Sequence, residues 1–123
     1  MQRVTFGQAK RLKAAGFDWR QPEVYKPDGK LEDRDDWADM RHDCYAPTVA
    51  LALKWTRDMA KGIFGWVGHI PYRKTWHYYW GIEEVLCDFD TYEQAESALL
   101  DTVLDGLERV HKYRESIRKV VAE

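Results

Sequence analysis

From Leu99 to Val120 the apolar residues Leu99, Val103, Val110, Tyr113, Ile117 and Val120, with Gly106 in line, recur at alternating spacings of four and three. That is the period of a helix that buries a single stripe. Two overlapping capping boxes stand in front of it, Asp90-Thr-Tyr-Glu93 and Thr91-Tyr-Glu-Gln94, so a helix is expected over about 92–121. At the standard rise such a helix is ~45 Å long, whereas a domain of this length is ~26 Å across. The helix must therefore bend near Gly106, fold its end back, fray, or project its last turns toward a partner. Any fold for the chain has to accommodate this one element.

The other elements are shorter. Thr5-Phe-Gly-Gln8 is a capping box that opens a helix over about 6–15, with Phe6, Ala9 and Leu12 inward, Lys10, Arg11 and Lys13 outward, and Gly16 as the left-handed stop. Lys26-Pro-Asp-Gly-Lys30 has proline and glycine where a tight turn needs them, and predicts a small hairpin with strands near 23–26 and 30–32. Ala46-Pro-Thr48 predicts a helix start with Pro47 at its first position, continuing through Leu51, Leu53 and Trp55 to about Lys61, before Gly62. Ile63–Ile70 and Trp76–Leu86 then read as two antiparallel strands joined by 71–75. Alternation is expected to put Trp76, Tyr78 and Trp80 inside with Phe64, Trp66 and Ile70, leaving His69, His77 and Tyr79 on a wetter face.

Composition narrows the class. The chain has 123 residues, 45% apolar and 33% charged, with 17 aromatics (six Trp, seven Tyr, four Phe), which is enough for one core and argues for a single domain over 1–123. Two cysteines, Cys44 and Cys87, and no secretory or membrane-length apolar segment point to a reduced cytoplasmic protein with no membrane partner. The net charge of −2 conceals segregation. Residues 28–43 hold seven acids against three bases, 44–82 five bases against one acid, and 83–105 eight acids and no base. An acidic surface of that kind suits a basic protein partner.

No motif specifies a reaction. There is no CxxC pair and no HExxH, so neither a metal nor a cofactor is assigned. His42-Asp-Cys44 places a base near a thiol but not in attack geometry, and Asp33, Asp35, Asp36, Asp39 and Asp43 read as a solvated acidic loop. No catalytic residue is named. The binding candidates are Tyr72 and Arg73 at the hairpin tip and His77 and Tyr79 on the outer strand face. Arg73 would make charge-assisted bonds, the two rings beyond it a flat polar-tipped surface, and Tyr72 an anchor. The same tip, with Lys74 and with Lys10, Arg11 and Lys13, has the chemistry of a single-strand nucleic-acid platform, a less favoured reading because so few bases converge. A cysteine- or metal-dependent enzyme is the third alternative.

Three blocks, Val4-Thr-Phe-Gly-Gln-Ala-Lys-Arg-Leu-Lys-Ala-Ala-Gly-Phe17, Tyr45-Ala-Pro-Thr-Val-Ala-Leu-Ala-Leu-Lys-Trp55 and Tyr92-Glu-Gln-Ala-Glu-Ser-Ala-Leu-Leu100, resemble recurrent segments of small proteins from tailed phages and prophage-bearing bacteria. The resemblance implies a phage or mobile-element setting and a host-interaction accessory. It carries no assigned activity and no functional residues. The expected fold is a single α+β domain: an antiparallel hairpin sheet packed against two or three helices, with a long C-terminal helix. The expected role is noncatalytic protein interaction, with self-association through the last helix or a sheet edge.

Overall fold

The computed structural model describes residues 2–34, 39–59, 65–70, 75–80 and 83–122. It is an α+β domain in the order α1 (Phe6–Ala14), β1 (Glu23–Tyr25), β2 (Leu31–Asp33), β3 (Cys44–Tyr45), α2 (Val49–Met59), β4 (Gly65–Ile70), β5 (Thr75–Trp80), β6 (Glu83–Phe89) and α3 (Tyr92–Ala122). Two antiparallel three-stranded sheets, ordered β2-β1-β3 and β4-β5-β6, accompany the helices.

Local chemistry sets the helix ends. The Thr5 hydroxyl accepts from Gln8 N at 3.1 Å while the Gln8 side chain accepts from Thr5 N at 2.9 Å, which completes the expected box. At the other end Phe17 N donates to Leu12 O and Gly16 N to Lys13 O, with Gly16 at φ 99°. That pair of bonds is a Schellman stop, and it needs the left-handed residue a glycine supplies. In the β1–β2 turn Gly29 N donates to Lys26 O and Lys26 N to Lys30 O, with Gly29 at φ 87°. A Cβ there would also lie 3.4 Å from the Phe6 ring.

Helix α2 begins two residues later than the sequence suggests. Pro47 is buried before the helix, its carbonyl accepting from Val4 N at 3.0 Å, and Thr48 caps instead, its hydroxyl accepting from Leu51 N at 3.2 Å. A chain segment that pairs Arg3 with Thr48 is extended, and that tertiary pairing outweighs the preference of proline for a first helical turn. The expected end of this helix at Lys61 and Gly62 lies outside the described residues.

The second sheet corrects two expectations. Trp76–Leu86 is not one strand: β5 ends at Trp80, and β6 returns antiparallel from Glu83, with Trp80 opposite Glu83. The β4–β5 register also differs in parity from the expected one. Ile70 faces Thr75, so four residues separate the paired ends, and even positions of β4 meet odd positions of β5. Val67 is therefore opposite Tyr78, Trp66 opposite Tyr79, Gly68 opposite His77 and His69 opposite Trp76. Directly paired residues share a face. Trp66 and Ile70 thus belong to the face of positions 77 and 79, and His69 to the face of Tyr78, the reverse of the expected partition.

The core gathers on that second face. Leu99, Leu100, Val103 and Leu104 of α3 are buried with Leu12 and Ala9 of α1, Val49, Ala52 and Trp55 of α2, and Tyr78 of β5. The Thr102 hydroxyl donates to Ala98 O, and its oxygen is 2.8 Å from the Tyr78 hydroxyl, so the one polar atom Tyr78 brings into the core is satisfied. Helix α1 is strapped to α3 by polar groups. Gln8, 4% exposed, donates through Nε2 to Ser97 O, Ser97 Oγ and Asp101 Oδ1 at 3.0–3.3 Å. Arg11 reaches Glu108 at 2.7 Å and also meets Asp105 and Asp101.

Helix α3 is continuous over 31 residues, with no break at Gly106. Of the expected outcomes for its last turns, a separate terminal helix folded back on the first is not adopted. Up to Leu107 its inward residues pack on the core. From Glu108 to Tyr113, and again at Glu115 and Ser116, every described residue is exposed, including Val110 at 38% and Tyr113 at 68%. The stripe that is buried at Leu99 and Val103 thus continues without cover at Val110 and Tyr113.

Candidate functional site

Of the four binding candidates, Tyr72 and Arg73 lie outside the described residues. His77 and Tyr79 sit in the central strand β5, opposite Gly68 and Trp66, on the sheet face that Tyr78 does not share; their side chains are outside the described set. His69 and His77, expected on one wetter face, fall on opposite faces in this register, because His69 pairs with Trp76 and His77 with Gly68. Among the described residues no group of three or more His, Cys, Asp or Glu is disposed to hold a metal ion.

The bases proposed to extend a nucleic-acid platform are engaged within the molecule. Lys10 Nζ lies 4.6 Å over the Phe6 ring, Arg11 is among the α3 carboxylates, and Lys13 Nζ donates to Arg41 O at 2.8 Å and to Asp43 O at 2.9 Å. The Glu108 hydrogen bond, with the field of the neighbouring acids, raises the Arg11 pKa, and Arg11 in turn lowers that of Glu108. A cation held this way offers less to a phosphate.

The segment around His42 and Cys44 is organised but not as a nucleophile. Asp39 accepts from Arg41 N at 3.1 Å and lies 2.8 Å from His42 Nδ1, so the His42 ring is directed to a carboxylate. No hydrogen bond joins His42 to Cys44 among the described residues. Cys44 is 4% exposed, and burial pushes its thiol pKa up and opposes thiolate formation, although the field of Lys13 acts the other way. Beside it lies an open cleft of about 240 Å³ lined by Ala9, Lys13, Phe17, Asp18, Met40, Asp43 and Tyr45. The buried Asp43 is paired with Lys26 Nζ at 3.0 Å. Of the charged groups on the cleft, the Asp43 carboxylate and the Lys13 ammonium are already bonded to the protein.

The His42 hydrogen bond, aided by the Arg41 amide, holds the Asp39 carboxyl at about 2, below the ordinary carboxylate range. A depressed folded pKa stabilises the fold above the ordinary carboxylate value, and that contribution disappears as pH falls toward 2. Replacing His42→Ala is expected to move the Asp39 titration upward toward 4, read by carbonyl NMR. An Asp39 titration unmoved by the replacement contradicts the assignment of the hydrogen bond as main cause.

Three further elements meet where sequence reasoning named no site. His69 of β4, Trp76 of β5 and Tyr92 at the start of α3 form a ring cluster. The His69 and Trp76 centroids are 4.6 Å apart at 47°, and those of Trp76 and Tyr92 5.3 Å apart at 79°. His69 is exposed, Tyr92 41% exposed and Trp76 half-buried. The Tyr92 hydroxyl donates to the buried Glu96 at 2.8 Å. No sequence signal marks this cluster, because His69 meets Trp76 through the β4–β5 register and Tyr92 joins them only where α3 docks.

No family model, curated protein or solved structure matches the chain. The class that fold and geometry define is a single small α+β domain with a long C-terminal helix. Among the described residues no helix is long and apolar enough to cross a membrane.

Proposed function

We propose that this chain is a small noncatalytic protein-interaction protein, a host-interaction accessory of a phage or prophage setting, which self-associates through the far half of α3. The observation that carries the reading is the exposed continuation of the α3 stripe. Val110 and Tyr113 follow the spacing that buries Leu99 and Val103, yet stand in solvent, with Ile117 and Val120 next in line. A repeat of two apolar positions in seven is the width of a helix-to-helix seam. The hairpin residues Tyr72, Arg73, His77 and Tyr79 are a second contact surface in this reading, and the base-free acidic interval 83–105 favours basic partners.

Sedimentation at several concentrations tests the proposal. The wild-type chain is expected to gain mass with concentration, and Val110→Glu with Tyr113→Glu to remain a folded monomer. A wild-type monomer at every concentration overturns self-association. Joint alanine replacement of the four hairpin residues is expected to reduce capture of a host partner by the folded protein; unchanged capture removes the hairpin from the contact.

A further inference from the structure

We infer that His69, Trp76 and Tyr92 form a seat for an arginine side chain on a basic segment of a partner protein. The inference rests on the interaction-protein reading and names the chemistry of one contact. The three rings come from different elements and touch one another at 47° and 79°, so a guanidinium stacks on their solvent-facing side and not between them. Trp76 packs on His69 and Tyr92 at the margin of the domain, and both neighbours are open to solvent. Ring faces attract cations, tryptophan most strongly, and a guanidinium stacks on them as an ammonium does not.

The charge around the rings has the matching sign. Asp90 and Glu93 are exposed on either side of Tyr92 in sequence, and Glu96 lies beneath its hydroxyl. The fields of Glu96 and Glu93 are both felt at the Tyr92 hydroxyl, as is the weaker opposing field of Arg57. The interval 83–105 contains no base. A guanidinium on the rings can turn its remaining N–H groups to an exposed carboxylate such as Glu93 while the alkyl stem covers Trp76. A nucleic-acid strand would bring its phosphates against these acids. The aromatic surface at this end of the sheet therefore fits a basic peptide and not a polyanion.

The test uses the whole chain, with acetylated tetra-arginine and tetra-lysine peptides as probes, at low salt. NMR follows the Trp76 indole N–H and the Tyr92 ring. Tetra-arginine is expected to shift both saturably, with affinity at least about fivefold above that of tetra-lysine. Tyr92→Leu is expected to weaken binding about fivefold and Glu93→Gln about twofold, whereas Tyr92→Phe, which loses the same hydrogen bond to Glu96 but keeps the ring, is expected to bind as the wild type does. Equal binding of the two peptides, unchanged affinity in Tyr92→Leu, or shifts confined to the acidic segment 28–43 overturns the assignment. Concentration-dependent mass, measured on the same samples, reports the α3 contact separately, so failure of the ring seat and failure of self-association are distinguishable.

Discussion

Leu100→Ala is expected to lower the unfolding free energy by about 3 kcal/mol, the largest effect of any single replacement considered. Leu100 is fully buried, and its neighbours Leu99, Val103 and Leu104 on α3 have exposures of 0–1%. Truncating a fully buried leucine removes its transfer free energy and leaves a cavity, together about 3–5 kcal/mol. Against a total stability of about 5–15 kcal/mol, that is a large fraction. Urea unfolding of the two proteins measures it. A loss below about 1 kcal/mol contradicts the placement of Leu100 at the meeting point of α3 and the core.

Lys26→Met is expected to cost about 2–3 kcal/mol. The Asp43 side chain is 4% exposed and Lys26 Nζ lies 3.0 Å from Oδ2. Removing one partner of a buried pair leaves the other charge desolvated, at a cost of about 3–5 kcal/mol when both are deep. The lysine side chain is 30% exposed, so water reaches the vacated position and the cost falls below that range. Its backbone bonds to Gly29 and Lys30 keep the β1–β2 turn intact in the variant. Adding Asp43→Asn to Lys26→Met should recover much of the loss, because the uncompensated charge is then gone. A double variant less stable than Lys26→Met alone contradicts this account.

What the sequence made legible was local. The Thr5–Gln8 box, the Gly16 stop, the turn at Lys26–Gly29 and a cap before α3 depend on neighbours within a few residues, and all four appear. The overlap of two boxes at 90–94 is settled for Thr91, whose hydroxyl accepts from Gln94 N at 3.2 Å. The face assignment in the second sheet depends on the number of residues between paired strand ends. Four residues between Ile70 and Thr75 invert the partition that alternation alone suggests for Trp66, His69 and Ile70. The division of β5 from β6 had a sequence signal in the glycine that interrupts the aromatic run after Trp80.

Long-range polar pairs had no sequence signal. Arg11 and Lys13 read as solvent-facing bases on the outer side of a helix, whereas they bind the carboxylates of α3 and the carbonyls of 41 and 43. Gln8 was visible as a cap but not as the donor that reaches 89 to 93 residues along the chain to Ser97 and Asp101. Of the candidate site, the acidic character of 83–105 was legible because it is compositional. The cluster of His69, Trp76 and Tyr92 was not, since it forms from three elements whose juxtaposition only the register and the docking of α3 create.

Helix α3 runs unbroken past the body of the domain and carries its apolar stripe into solvent at Val110 and Tyr113. Spin labels at the exposed positions Glu93 and Glu115, each changed to cysteine with Cys87→Ser, measure this by electron dipolar spectroscopy in chains diluted with unlabelled protein. Twenty-two residues of straight helix predict a single separation of about 33 Å. A main distance below about 20 Å, as a folded-back end would give, contradicts the continuous helix and the contact surface built on it.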